Sequence, residues 1–130
     1  MKLFIADDSE MMRERIRELV LAVEGIELVG EAGDVRASIK GIMDLKPDVV
    51  ILDIRMPGGS GLDVLRGVKG HTTPLIIVLT NYPFPEYKEI AIKLGADYFF
   101  DKSKEFDEVQ RILGRMLQGK EAGKTVIRES

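Results

Sequence analysis

Hydrophobic positions along the chain follow two alternating rhythms. Leu3-Phe4-Ile5-Ala6, residues 26–29, Val49–Leu52, residues 75–79 and Tyr98-Phe99-Phe100 are short apolar runs, mostly unbroken and rich in β-branched or aromatic residues. Runs of that length and makeup predict strands buried on both faces. Between them the apolar spacing lengthens to three and four. Met12, Ile16, Leu19, Val20 and Val23 predict a first helix capped by Ser9, and Val35, Ile39, Ile42 and Met43 a second capped by Asp34. Leu62, Leu65 and Val68 predict a shorter third helix bracketed by glycines. Tyr87, Ile90, Ala91 and Leu94 predict a fourth, beginning near Pro85 and stopping at Gly95. Phe106, Val109, Ile112, Leu113, Met116 and Leu117 form the fifth and clearest stripe. The order βαβαβαβαβα, with right-handed crossovers, calls for an α/β fold: a parallel sheet with helices on both faces.

After Leu117 the pattern fades into small and charged residues, so the expected organisation is one domain over residues 1–118 and a C-terminal tail or start of a linker over 119–130. A chain of 130 residues with 45% hydrophobic positions suits a single core. Nineteen basic side chains against 22 acidic ones give a net charge of only −3, so no strong field attracts nucleic acid. With no basic stripe and no second apolar block, no direct nucleic-acid contact is expected of these residues. The absence of cysteine excludes disulfides, thiolate zinc sites and cysteine nucleophiles. Acid arrives at Asp7 and no apolar run reaches spanning length, so neither export nor membrane insertion is expected, and a cytoplasmic location is.

Candidate chemistry sits at the strand ends. The first strand ends in Asp7-Asp8, the third in Asp53, the fourth in Thr80 and the fifth in Asp101-Lys102. Taken singly, such residues are ordinary caps or turns. In an open parallel sheet, however, the carboxyl ends share one crevice. Three carboxylates gathered there repel by about 3 kcal/mol per pair at about 5 Å and an effective dielectric of about 20. A divalent cation removes that cost, and carboxylates with a carbonyl and waters are the donors magnesium takes. A metal, a carboxylate nucleophile and a lysine together suit phosphoryl transfer. His71, the only histidine, is expected in a surface loop.

The acidic pair Asp7-Asp8, Asp53 followed by Met56-Pro57 and Gly61, Thr80 ending its strand, and Gly95-Ala96 shortly before Lys102 form a specific set. In these motifs residues 2–117 resemble the receiver domain of two-component response regulators, the family of the chemotaxis response regulator. The resemblance implies a flavodoxin-like five-stranded sheet of order 2-1-3-4-5. It implies that Asp53 accepts a phosphoryl group from a sensor histidine kinase or a histidine phosphotransfer protein. Asp8, Asp53 and the main-chain carbonyl of Arg55 would bind Mg2+, with Asp7 holding the metal's water shell or joining the coordination. Lys102 would pair with one phosphoryl oxygen and the Thr80 hydroxyl with another, while Phe99 matches the aromatic switch. The output surface would be the fourth helix, fifth strand and fifth helix, with Tyr98, Lys104, Glu105 and Glu108 as candidates, facing a downstream protein or output domain.

Some residues depart from the family pattern. Ser103 follows Lys102 where the family usually has proline, often through a cis bond; a cis bond here would cost about 3 kcal/mol. Asn81 follows Thr80 where a small residue is usual, and Pro83 and Pro85 stiffen the segment ahead of the fourth helix. Arg55 and Tyr82 are placed to screen an acylphosphate from water. Residues 58–61 are expected to form a flexible loop beside the site. Competing readings are weaker. A haloacid-dehalogenase-type phosphatase needs a second aspartate where Arg55 stands. A flavodoxin-like small-ligand binder needs hydroxyls and glycines where Asp7-Asp8-Ser9-Glu10 stand. The main alternative is the receiver part of a longer transcriptional regulator.

Overall fold

The computed structural model describes residues 1–119, so the expected tail or linker lies, from residue 120 onward, outside the described residues. The chain runs β1 (Lys2–Ala6), α1 (Glu10–Leu21), β2 (Glu27–Ala32), α2 (Val35–Leu45), β3 (Val49–Leu52), then a miniature hairpin of β4 (Arg55–Met56) and β5 (Gly59–Ser60). It continues through α3 (Gly61–Val68), β6 (Leu75–Thr80), α4 (Pro85–Lys93), β7 (Tyr98–Asp101) and α5 (Glu108–Leu117). The main sheet is parallel, ordered β2-β1-β3-β6-β7. Counted over its own five strands this is 2-1-3-4-5, the flavodoxin-like arrangement expected.

The strand period of two sorts the core. Leu3, Ile5, Val49, Ile51, Ile77, Leu79, Tyr98 and Phe100 pack on one face with Ile16 and Val20 of α1 and Val109, Ile112 and Leu113 of α5. Phe4, Ala6, Val50, Leu52, Ile76, Val78 and Phe99 pack on the other with α2, α3 and α4. Burial of both faces holds for β1, β3, β6 and β7 but not for β2, whose Glu27 is exposed and whose next four residues are only half-buried. Strand β2 forms an edge, and its length follows pairing rather than hydrophobicity. It extends past the apolar run because Gly30, Glu31 and Ala32 align with Phe4, Ile5 and Ala6.

Ser9 and Asp34 cap their helices by accepting from the backbone N–H of Met12 and Ala37. Helix α4 starts at Pro85 and is followed by Gly95 at φ +109°, a conformation that glycine adopts without a Cβ penalty. Helix α5 begins at Glu108, two residues later than the apolar stripe suggests. Residues 58–61 are not a loose loop. Arg55 pairs with Ser60 across the hairpin, and Ser60 and Asp63 form a reciprocal capping box that starts α3. Tyr98 does not reach the expected output surface: strand alternation turns it into the α1/α5 core, stacked on Phe100 with ring centroids 5.6 Å apart. No helix among the described residues is long and apolar enough to cross a membrane.

Candidate functional site

Parallel strands deliver their last residues to one edge, and the ladder fixes the two central aspartates there. The Asp7 N–H donates to the carbonyl of Ala32 at 3.0 Å, and the Asp53 N–H to that of Ala6 at 2.9 Å. Arg13 of α1 donates to the Asp7 carbonyl at 2.6 Å. One carboxylate oxygen of Asp7 accepts from the Ser9 N–H at 2.9 Å, and one of Asp53 from the Ile54 N–H at 2.7 Å. Gly61 seals the other side. A Cβ at this position would lie 2.1 Å from the Asp53 carbonyl oxygen, so only glycine lets α3 begin so close to the strand end.

Lys102, one residue past β7, joins the pair. Its ammonium donates to Asp7 Oδ2 at 2.7 Å and to Asp53 Oδ2 at 3.1 Å, and all three side chains are buried. Asp8 is exposed at the mouth, and the carboxylates of Asp7, Asp8 and Asp53 each offer an oxygen within 4.8 Å of the others. They line a cavity of about 390 Å³ together with Arg55, Asn81, Tyr82 and Lys102. Burial pushes the Asp53 carboxyl up and Asp7 adds to the push; both outweigh the opposing pull of Lys102. Burial also acts against the charged form of Lys102, but Asp53 and Asp7 overcome it and raise its pKa. The repulsion expected among the carboxylates is therefore relieved in part by the chain's own ammonium. Three carboxylates against Lys102 and Arg55 still leave the lining negative, and the all-oxygen donor set fits a divalent cation.

The remaining expected residues surround this centre. Thr80 is fully buried; its hydroxyl accepts from the Tyr82 N–H at 3.0 Å and its carbonyl from the Lys102 N–H at 2.7 Å. Alternation along β6 and β7 puts Thr80 on the same sheet face as Phe99, which lies buried among Val78, Ala91 and Ala96. Arg55 stands at the cavity rim, its guanidinium carbon 4.5 Å from the centroid of the Tyr82 ring. Asp101 is absent from the cavity lining. Its carboxylate accepts from both the N–H and the hydroxyl of Ser103, which lowers its pKa and forms the turn after Lys102, where the resemblance leads one to expect proline. No peptide bond among the described residues is cis, so Lys102-Ser103 is trans. His71 occupies an exposed turn, as expected. Sequence reading missed Arg13 as a brace for Asp7, and Glu31, whose carboxylate binds Arg17 at 2.7 Å and Arg13 at 3.3 Å. Helix spacing puts Arg13 and Arg17 on one face of α1, but what that face meets emerges only once β2 is laid beside β1.

Residues 3–114 match the family described as the response regulator receiver domain. The transcriptional regulatory protein YvfU of Bacillus subtilis is 33% identical over 120 residues, covering 92% of this chain and 60% of that protein. DevR/DosR of Mycobacterium tuberculosis, a DNA-binding transcriptional activator, is 32% identical over 85% of this chain and 51% of its own length. The chain thus spans about half the length of the curated relatives it matches. Among solved structures, the isolated receiver domain of RcsB from Salmonella enterica serovar Typhimurium, with the phosphomimetic BeF3−, superposes with a TM-score of 0.82 at 29% identity, covering 92% of this chain and 90% of that one. The response regulator domain of Thermotoga maritima CheB has the same fold, with a TM-score of 0.82 at 23% identity over 95% of this chain and 98% of its own. From Leu3 to Gly114, motif residues, strand order and relatives agree, and the chain belongs to the response regulator receiver domain family of two-component signalling.

Proposed function

We propose that Asp53 is the phosphoacceptor of this receiver, taking a phosphoryl group from a phosphohistidine on a sensor kinase or histidine phosphotransfer protein. One Asp53 carboxylate oxygen attacks phosphorus; the Asp53 O–P bond forms, the imidazole N–P bond breaks, and the electron pair stays on the imidazole nitrogen. Lys102, already bonded to Asp53, turns to a phosphoryl oxygen, and the Thr80 hydroxyl donates to another. Asp8, Asp53 and the main-chain carbonyl of Arg55, together with Asp7, would hold a divalent cation such as Mg2+, which would supply positive charge against the transferred group. As Thr80 shifts, Phe99 on the same sheet face repacks and carries the change to α4, β7 and α5. The exposed Phe84 and Ile90 of that region are the apolar groups a downstream protein or output domain would cover. The chain works as a signalling switch, acting only on its own phosphorylation state. The length of the curated relatives favours a receiver unit at residues 1–118 attached through a linker to an output domain. A cytoplasmic location goes with this reading.

The observation that carries it is the buried Asp7–Lys102–Asp53 bridge beside a third carboxylate at one strand edge. Intact-mass spectrometry after incubation with acetyl phosphate and Mg2+ tests it. The expected result is a gain of one phosphoryl group that vanishes in Asp53→Asn and without metal. A gain that survives Asp53→Asn would remove Asp53 from the role.

A further inference from the structure

Two cations line the cavity, and carboxylates engage only one of them. Lys102 is shared between Asp7 and Asp53. Arg55 has no ion pair among the described residues; its guanidinium lies on the face of Tyr82 instead. Its backbone is fixed, since Ile54 and Met56 on either side are buried and Arg55 pairs with Ser60 in the hairpin. Only the side chain can change partner. An exposed cation–π contact shifts an equilibrium by about two- to fivefold, whereas a guanidinium on a phosphoryl oxygen makes charge-assisted bonds of the strong class. A phosphoryl group entering this cavity brings further negative charge to a place whose inner cation, even when it turns to the group, is shared with Asp7.

Resting on the reading of Asp53 as acceptor, we infer that Arg55 is a second phosphoryl-binding residue: when the group is on Asp53, the guanidinium leaves Tyr82 and pairs with a phosphoryl oxygen. Tyr82 then loses its cover. Its ring is the first of a run that continues through Phe84 at 6.4 Å to Tyr87 at 5.7 Å on α4, and its backbone N–H is bonded to the Thr80 hydroxyl. The release of Tyr82 therefore acts on the same loop as the recruitment of Thr80. Arg55 binds the group rather than merely shielding it, and Tyr82 competes with the group for Arg55.

The test is NMR of the full chain titrated with beryllofluoride in the presence of Mg2+. Bound fluorine signals that are absent in Asp53→Asn report occupancy of the acceptor, and the Arg55 Nε–Hε resonance reports the guanidinium. Ring current from Tyr82 holds that resonance upfield, and it moves downfield on binding. Tyr82→Leu frees the guanidinium and tightens beryllofluoride by about two- to fivefold. Arg55→Gln weakens it, and adding Tyr82→Leu to Arg55→Gln changes nothing further. Beryllofluoride bound at Asp53 with an unmoved Arg55 resonance, or with equal affinity in Tyr82→Leu and wild type, overturns the inference and leaves the acceptor reading intact. No bound fluorine signal at all would instead overturn the acceptor reading itself, and this inference with it.

Discussion

Glu31, on the edge strand β2, and Asp53, at the end of the central strand β3, are both bonded to basic side chains, to Arg17 at 2.7 Å and to Lys102 at 3.1 Å. Their carboxyls nevertheless move in opposite directions. The hydrogen bond from Arg17 outweighs a modest burial cost and holds Glu31 below the ordinary carboxylate range. At Asp53 burial outweighs Lys102, and the neighbouring Asp7 charge adds to it. Glu31 takes a two-point bond from Arg17 and a second cation in Arg13, whereas Asp53 shares one ammonium with Asp7; the two sites differ in solvent as well. At an edge, water still solvates both ions, so the partner's attraction is a net gain, although a small one. In the sheet centre both ions have lost water, and pairing only offsets part of the loss. The central site is left with a residual cost that a cation can relieve, which an edge pair does not have.

The largest test of this contrast removes the central cation. Lys102→Met leaves Asp7 and Asp53 as buried carboxylates without an ammonium, and breaking a buried pair in this way costs about 3–5 kcal/mol. Urea unfolding at neutral pH in chelator should show that loss, and Asp53→Asn in the Lys102→Met background should recover much of it. A Lys102→Met protein as stable as wild type would mean that Lys102 does not hold the two carboxylates.

The next effect comes from metal. If the site retains uncompensated negative charge, Mg2+ should stabilise the folded chain by about 2.7 kcal/mol at a hundredfold excess over its Kd. The gain should shrink in Asp8→Asn, whose exposed carboxylate is the one that Lys102 does not touch. Thermal melts with and without Mg2+ measure both. An unchanged wild-type midpoint at saturating Mg2+ would break the picture of a strained centre, while an equal gain in wild type and Asp8→Asn would take Asp8 out of the donor set.

The same contrast between centre and edge explains what the sequence disclosed. Strands β1, β3, β6 and β7 were legible because burial on two faces writes an unbroken apolar run, and the strand ends then identified Asp7, Asp8, Asp53, Thr80 and Lys102. Gly61 belonged to the resemblance, and the structure supplies its reason in the contact with the Asp53 carbonyl. Strand β2 was cut short because half of it faces solvent and its end is set by pairing with β1. The β4–β5 hairpin is two residues a side, too short to leave a period. Tyr98 was misplaced because residue type does not say which face of a strand a ring occupies. Arg13 and Glu31 escaped because ion pairs between α1 and β2 depend on a register that local pattern does not encode.

The smallest expected effect lies at the edge, where pH separates it from the centre. Glu31 has a folded pKa below its unfolded one, so its contribution is fully present above the ordinary carboxylate range and is lost as pH falls through the folded value. Asp53 has the reverse sign. Its folded pKa lies above the unfolded one, so in metal-free protein its cost is fully present above the folded value and fades as pH falls toward the ordinary range. Stability of wild type minus Glu31→Gln should therefore fall with acidification, while wild type minus Asp53→Asn should rise over its own window. Salt gives a second discriminant: the Glu31 difference should shrink in 1 M NaCl because the pair is partly solvated, and the Asp53 difference should persist because it is buried. Urea titrations across pH in chelator, at low and high salt, read all four quantities. Slopes of the same sign for the two differences would mean that exposure does not decide how these ion pairs titrate.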